Sequence, residues 1–360
     1  MPSEAPTEAY VWIWLPGESE PVVAGRLETV GAITYFNYGQ SYLAREAAIP
    51  LYLPELPLVE GRIRPLGELD IAGCISDAGP DAWGQRVILH RHLGNGAGDV
   101  APAMLGPLKY LLESGSDRVG ALDFQASPTE YVPRQSNASI VELMQAAQRI
   151  EAGVPFSPEI DSALLHGSSI GGARPKALLE DDGRRLIAKF SSATDSYPIV
   201  KGESAAMDLA RLVGLDVAPV DLVQVMGKDV LLIERFDRVT ESGERRAVVS
   251  ALTILEIGEM FARYATYHDL AEAIRSRFSD GERSLRELFS RIVFNILVGN
   301  TDDHARNHSA FWNGADLDLT PAYDICPQPR EGGEVAQAMA IGRDGFRLAQ
   351  LAGCVAAAHL

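Results

Sequence analysis

The chain has 360 residues, 46% of them hydrophobic and 22% charged, which is typical of a folded globular protein and excludes a disordered or collagen-like chain. Its 49 acidic and 32 basic residues give a formal net charge of −17, and only 7% of the residues are aromatic. Both values argue against a protein that binds nucleic acid directly, because such binding needs clustered basic side chains or stacking aromatic rings. The length predicts two domains, or two lobes with an extension.

The cysteines and the N-terminus indicate the cellular context. Cys74, Cys326 and Cys354 lie far apart and form no pair with metal-binding spacing, so we expect reduced thiols. The first twenty residues are acidic where a signal peptide is basic, and no stretch approaches the roughly 18 apolar residues of a membrane span. We therefore expect a cytoplasmic protein that does not enter a membrane.

The first predicted unit covers residues 1–126. Alternating apolar residues predict strands at 11–15, 30–36 and 119–124, and helical spacing predicts a helix over 81–92. Residues 127–137, which consist mainly of polar residues and proline, form a predicted linker.

The second predicted unit covers residues 138–238. Ser139 and Glu142 have the spacing of a capping box and predict the start of a helix. A glycine-rich stretch follows, and then a strand at 186–190, a helix over 202–213 and two strands at 222–226 and 230–233.

The third predicted unit covers residues 239–360 and is mainly helical. Its most regular apolar pattern runs from 285 to 297 and stops at Gly299, and a hairpin with strands at 309–312 and 317–320 follows. The last residues, from Cys354 to Leu360, are apolar and have no polar closing segment, so this unit looks truncated.

The glycine-rich stretch reads His-Gly-Ser-Ser-Ile-Gly-Gly-Ala-Arg-Pro-Lys, from His166 to Lys176. Glycines let the backbone approach a phosphate, but they also form ordinary turns, and this stretch is neither a Walker A loop nor a dinucleotide-binding motif. Lys189 lies near the end of the following strand, where it either solubilises an edge or reaches phosphates. Glu203 either favours the start of its helix or forms an ion pair with Lys189.

The polar segment that follows the apolar helix reads Asn-Thr-Asp-Asp-His-Ala-Arg-Asn. Asp302 and Asn307 have the spacing of a kinase catalytic loop, in which the carboxylate accepts the proton of the attacking hydroxyl and the amide oxygen holds Mg²⁺. Asp324 is either a second Mg²⁺ ligand or a turn former. The order of glycine-rich loop, lysine, glutamate, aspartate–asparagine pair and second aspartate favours a two-lobed kinase that uses ATP and Mg²⁺.

Three other interpretations remain. His304 and His308 are four residues apart, as in a helical zinc site, but the pattern of a zinc hydrolase is absent, and we expect His304 to brace the loop. A small-molecule kinase shares the aspartate–asparagine spacing. A catalytically silent kinase-fold module, held by an antitoxin-like partner, is the third.

These segments resemble the HipA family of serine/threonine kinase toxins. The resemblance lies in the glycine-rich stretch, the catalytic-loop segment and Tyr323-Asp324, and it extends to residues 77–84 and 119–124 as an N-terminal subdomain and to 232–238 as a hinge between lobes. It covers nearly the whole chain, although family members usually continue further beyond the second Mg²⁺ aspartate. The implied fold is α+β: a two-lobed protein-kinase-like fold with an N-terminal α/β subdomain.

The resemblance also implies residue roles. Ser169, or its neighbour Ser168, would be autophosphorylated, which switches the kinase off, and Asp302 would be the catalytic base. Asn307 and Asp324 would hold Mg²⁺. ATP would contact Ser168, Ser169, Ile170, Gly171, Gly172, Lys176, Lys189, Glu203, Glu234 and Phe236.

The partners implied by the resemblance are two proteins. The kinase substrate would be an aminoacyl-tRNA synthetase, so that its phosphorylation inhibits translation. A small helix-turn-helix antitoxin of the HipB kind would neutralise the toxin, and DNA would be reached only through that antitoxin, in keeping with the acidic charge of this chain.

Overall fold

The computed structural model describes residues 6–93, 105–134, 139–151, 174–192, 195–329 and 334–357. Within these ranges the chain forms three antiparallel sheets, and each sheet is accompanied by its own helices. No helix in this part of the chain combines the length and the apolar character that crossing a bilayer requires.

The N-terminal sheet has five strands in the order β4-β3-β2-β1-β5. The strands are β1 (Glu8–Ile13), β2 (Val22–Val30), β3 (Ile33–Tyr38), β4 (Arg62–Ile63) and β5 (Leu122–Gln125). The helices of this region are α1 (Gln40–Leu43), α2 (Gly73–Asp77), α3 (Ala82–Leu93) and α4 (Pro107–Glu113).

All three strand predictions for this region were wrong in their bounds. The strand predicted at 11–15 is β1, which starts at Glu8 and ends at Ile13. The strand predicted at 30–36 is the end of β2, a turn and most of β3, because Gly31 adopts a positive φ of 64° that ends β2. The strand predicted at 119–124 begins only at Leu122, because Gly120 has a φ of 79° and donates its backbone N–H to the Asp237 carboxylate at 2.7 Å. The helix predicted over 81–92 is confirmed as α3.

The second sheet has four strands in the order β6-β7-β9-β8. They are β6 (Lys176–Asp181), β7 (Arg184–Phe190), β8 (Val220–Val225) and β9 (Lys228–Glu234), and they pack with α5 (Ile140–Glu151) and α6 (Ile199–Leu212). The capping box is confirmed, since the Ser139 N–H donates to Glu142 at 2.8 Å and the Glu142 N–H donates to the Ser139 hydroxyl. Helix α6 begins three residues before the predicted start, directly after its N-cap residue Pro198.

The third region is mostly helical and carries a three-stranded sheet in the order β10-β11-β12. Its strands are β10 (Ala247–Ser250), β11 (Ser309–Trp312) and β12 (Leu317–Leu319). Its helices are α7 (Ala251–Ile254), α8 (Tyr267–Arg277), α9 (Gly281–Val298) and α10 (Leu351–Ala357), with 3-10 turns at Glu259–Tyr264 and Ala305–Asn307. Helix α9 ends as predicted at Gly299, whose left-handed conformation (φ 78°) caps the helix.

The N-terminal region packs against both of the other regions. Val11 and Phe36 of its sheet belong to the same buried cluster as Leu252 and Ile296 of the helical region. On the other side, Trp83 of α3 is fully buried against the apolar side chains of the second sheet. The N-terminal region therefore shares buried apolar side chains with both of the other regions.

A buried ion network joins the N-terminal region to the segment after β9. Arg235 binds the carboxylates of Asp117 and Asp237, both at 2.8 Å, and Arg238 binds Asp117 at 2.8 Å. Burial alone would raise the pKa of Asp237, but the two arginines outweigh it and hold that pKa below its ordinary value. Because a buried charge without its partner is costly, this network fixes the segment firmly.

We predict that Asp237→Asn destabilises the chain by about 2 kcal/mol near neutral pH and that the deficit shrinks in acid. The pKa of Asp237 is depressed in the folded state, so its contribution is present above the unfolded value of about 4 and is lost as the pH falls through the lower folded value. Denaturant unfolding of both proteins between pH 7 and 3 measures this difference. Asp208→Asn, in an exposed pair, is the control, and a pH-independent deficit would contradict the assignment.

Candidate active site

Lys189 lies where the second sheet meets the helical region, at its contact with Asp324, and we call this junction the cleft. It is the penultimate residue of β7, and its side chain is buried. Its Nζ lies 2.5 Å from Oε1 of Glu203 in α6 and 2.5 Å from Oδ1 of Asp324. The expected ion pair with Glu203 is thus present. Glu203 is the fifth residue of α6, too far from the helix start for the dipole to explain it.

The pKa values of Lys189, Asp324 and Glu203 are shifted in different ways by burial and by their mutual charges. Burial lowers the pKa of Lys189, but Asp324 and Glu203 outweigh it and raise that pKa above its ordinary value. Burial would raise the pKa of Asp324, but Lys189 holds it down at about 2. Burial does raise the pKa of Glu203, in spite of Lys189. The site therefore keeps a charged lysine beside an ionised Asp324.

Asp302 and Asn307 lie in the loop between α9 and β11. The Asp302 side chain is exposed, and Asn307 is buried and donates its side-chain N–H to the Asp302 carbonyl at 3.2 Å. This bond uses the amide nitrogen, so the amide oxygen of Asn307 is the atom that can face a cation. Partial desolvation, together with the negative charges of Asp324 and Asp303, raises the pKa of Asp302.

Asp303 fixes this loop to the helices next to it. Its buried Oδ2 accepts hydrogen bonds from Asn295 of α9 at 2.7 Å, from His308 at 3.1 Å and from the Tyr267 hydroxyl of α8. Burial would raise the pKa of Asp303, but His308 and the other donors outweigh it and lower that pKa. His308 thus braces the loop through its side chain, a role that we had expected of His304, while the His304 carbonyl accepts the backbone N–H of Asn307 at 2.8 Å. The two histidines flank a 3-10 turn and do not share a helix.

Asp324 is held in a strained backbone conformation. Its φ is 59°, a left-handed value that non-glycine residues adopt rarely and that is frequent at functional sites. The preceding Tyr323 donates its hydroxyl to the Arg306 carbonyl at 2.7 Å, which ties this segment to the catalytic-loop segment. The Phe236 ring lies 5.7 Å from the Tyr323 ring, so Phe236 borders the site. Glu234 ends β9 two residues earlier and is half-buried.

Lys176 is buried beside Lys189, since the two residues are directly paired in the register of β6 and β7. Its Nζ contacts Oδ2 of Asp81 at 3.2 Å, and its carbonyl accepts the indole N–H of Trp83 at 3.2 Å. Both partners come from the N-terminal region. Ser168, Ser169, Ile170, Gly171 and Gly172 lie outside the described residues.

A second aspartate from the N-terminal region reaches the catalytic-loop segment. Asp77 ends α2, and its carboxylate accepts the backbone N–H of Ser250 at 2.7 Å and lies 3.4 Å from Arg306. Asp77 and Asp81 belong to the segment that resembles the family, but no role was predicted for either of them. Their partners are more than 90 residues away, and no local pattern indicates them.

The donor set of the cleft suits Mg²⁺. Asp324 offers a carboxylate and Asn307 an amide oxygen, and Mg²⁺ is usually bound by one or two protein oxygens together with substrate phosphates and water. Burial raises the pKa of Asp302, and the negative charge of Asp324 adds to this effect, so a cation between the two carboxylates would reduce their repulsion.

A strand lysine paired with a helix glutamate, above a loop with an aspartate and an asparagine, is the arrangement that protein kinases use. The fold is thus of the α+β, kinase-like class. Residues 168–358 match the family model for the HipA-like C-terminal domain, and the chain belongs to that family.

Two relatives and a solved structure agree with this assignment. The serine/threonine-protein kinase toxin HipA of Shewanella oneidensis is 25% identical over 240 residues, which are 59% of this chain and 54% of that protein. Y4mE of Sinorhizobium fredii, a protein whose name describes it as a kinase, is 26% identical over 315 residues, which are 81% of this chain and 71% of that protein. The solved complex of HipA, HipB and operator DNA from Shewanella oneidensis has a chain with a TM-score of 0.63 and 21% identity, over 91% of this chain and 79% of that one. The chain spans about half the length of the Shewanella toxin.

Proposed function

We propose that the chain is a serine/threonine protein kinase that uses ATP and Mg²⁺ and acts as the toxin of a toxin–antitoxin pair. The observation that carries the proposal is the position of Lys189, which bridges Glu203 and Asp324 at 2.5 Å each. A buried lysine held between two carboxylates supplies a fixed positive charge for phosphate oxygens, and the segment with Asp302 and Asn307 completes the set of groups.

Each residue of the site has one task in the proposed reaction. Asp302 accepts the proton of the acceptor hydroxyl while that oxygen bonds to the γ-phosphorus, the bond between this phosphorus and the β–γ bridging oxygen breaks, and ADP leaves. Lys189 orients the phosphates, and Glu203 holds Lys189 in place. Asn307 and Asp324 would hold Mg²⁺, which when bound neutralises charge on the phosphates. Phe236 and Glu234 would border the adenine.

The finer parts of the proposal concern regulation and partners, and the family membership supports them. We infer autophosphorylation of Ser169, with Ser168 as the neighbouring alternative. We further infer an aminoacyl-tRNA synthetase as substrate. We infer a HipB-like antitoxin as partner, since one structural neighbour is a HipA complex with HipB and operator DNA. Transfer of labelled phosphate to a purified panel of synthetases would test the substrate, and loss of that transfer on adding a HipB-like protein would test the partner.

Autophosphorylation provides the direct test. The intact mass of the full chain should rise by one phosphate after incubation with ATP and Mg²⁺, and EDTA should abolish the gain. Ser169→Ala should remove the gain and Ser168→Ala should retain it, because the two variants differ only in which loop hydroxyl is deleted. A chain that binds ATP with no gain in mass, and that labels no protein substrate, would instead be the catalytically silent kinase-fold module.

A further inference from the structure

The contact between Asp81 and Lys176 crosses from the N-terminal region to the nucleotide cleft. Lys176 has only 3% of its surface exposed and is paired in register with Lys189, so two positive side chains lie side by side on the same face of the sheet. Like charges in this position repel each other, and burial adds a further cost. Such a pair persists only when each lysine has a carboxylate partner.

Each lysine has a different partner. Glu203 and Asp324 neutralise Lys189, and both belong to the kinase-like part of the chain. Asp81 contacts Lys176 from outside that part. Burial lowers the pKa of Lys176 in spite of the charges of Asp81 and Asp324, and burial raises the pKa of Asp81 in spite of Lys176.

The start of α3 fixes the position of Asp81. Its Oδ1 accepts the backbone N–H of Gly84 at 2.9 Å as a helix cap, while Oδ2 faces Lys176. Trp83, two residues later, is fully buried and donates its indole N–H to the Lys176 carbonyl. The carboxylate is thus held by its own helix, and β6 is held against it by a second bond.

We propose that Asp81 is a positioning residue of the phosphate site: it keeps Lys176 charged and aligned with Lys189, so that the two lysines together receive the polyphosphate of the nucleotide. This inference rests on the proposed function, because it assigns a role within the same nucleotide site. Through Asp81, the N-terminal region would contribute directly to nucleotide binding.

Asp81→Asn isolates the charge. Asparagine caps helices as well as aspartate does, so the bond to Gly84 can remain while the partner of Lys176 is lost. Asp280→Asn is the matched control: Asp280 also caps a helix, α9, through a bond to Arg283, and lies at the surface away from Lys176. Titration calorimetry with a non-hydrolysable ATP analogue plus Mg²⁺, and separately with adenosine, separates the phosphate contacts from the base contacts.

We expect Asp81→Asn to weaken binding of the ATP analogue by about tenfold or more and to change adenosine binding by less than about twofold. In catalysis, KM for ATP should rise more than kcat falls. If Asp81→Asn does not fold, Lys176→Gln is compared with the double variant Asp81→Asn/Lys176→Gln, which removes both charges together. Because Asp81 acts through Lys176, both variants should lose the same ATP affinity, and a larger loss in the double variant would contradict the proposal.

Two results would overturn the proposal. Equal weakening of the ATP analogue and adenosine would show a merely structural contact, and unchanged affinity for both would show that Asp81 has no part in the phosphate site. A wild-type chain that binds neither compound would overturn the proposed kinase function itself, which is a different result from loss of the Asp81 effect alone.

Discussion

Replacing Asp302 by asparagine should lower kcat for phosphoryl transfer by about 10³-fold, because the amide cannot accept the proton of the acceptor hydroxyl. Asp302 is exposed, so the unfolding free energy should change by less than about 0.5 kcal/mol. ATP affinity should stay close to that of the wild type, since the phosphates are held by other residues. Initial rates of phosphate transfer, together with calorimetric binding of the ATP analogue, measure both quantities.

A control for this prediction lies in the hairpin that follows the catalytic-loop segment. Asp316 is an exposed aspartate at the turn before β12, and its replacement by asparagine removes the same charge without touching the cleft. Asp316→Asn should keep the wild-type rate. An Asp302→Asn variant with a similar rate would refute the catalytic role of Asp302.

The sequence allowed the main parts of the site to be predicted because each part has a local signal. Lys189 interrupts an apolar strand, Asp302 and Asn307 form a spaced pair after a well-marked helix, and Glu203 lies on the next helix. The chain order of these elements then indicated the kinase-like arrangement, which the fold bears out.

The contacts of the N-terminal region could not be predicted in the same way. Asp81 and Lys176 are 95 residues apart, Asp117 and Arg235 are 118 apart, and Asp77 and Arg306 are 229 apart. Each of these residues looks like an ordinary surface charge in its own segment, and only the packing of the regions shows its partner. Element bounds failed for a related reason, since the turn at Gly31 and the bond of Gly120 to Asp237 interrupt apolar runs that look continuous.

Asp302 and Asp303 are adjacent, but the structure gives them opposite environments. Asp302 is exposed, and Asp303 is 3% exposed and accepts hydrogen bonds from Asn295, His308 and Tyr267. The three donors come from α9, from the end of the loop and from α8, so a single carboxylate oxygen connects the loop to two helices. Replacing Asp302 should therefore affect turnover, whereas replacing Asp303 should affect stability.

We predict that Asp303→Ala lowers the free energy of unfolding by about 4 kcal/mol, because it leaves three buried donors without their acceptor. Activity should fall as well, because the loop that carries Asp302 and Asn307 would no longer be folded correctly. Denaturant unfolding gives the free energy, and Asp303→Asn, which retains one acceptor oxygen, should lose clearly less. An alanine variant with wild-type stability would show that the carboxylate does not hold the loop. Because the deficit at Asp303 appears in unfolding and the deficit at Asp302 appears only in turnover, the pair separates the support of the loop from its chemistry.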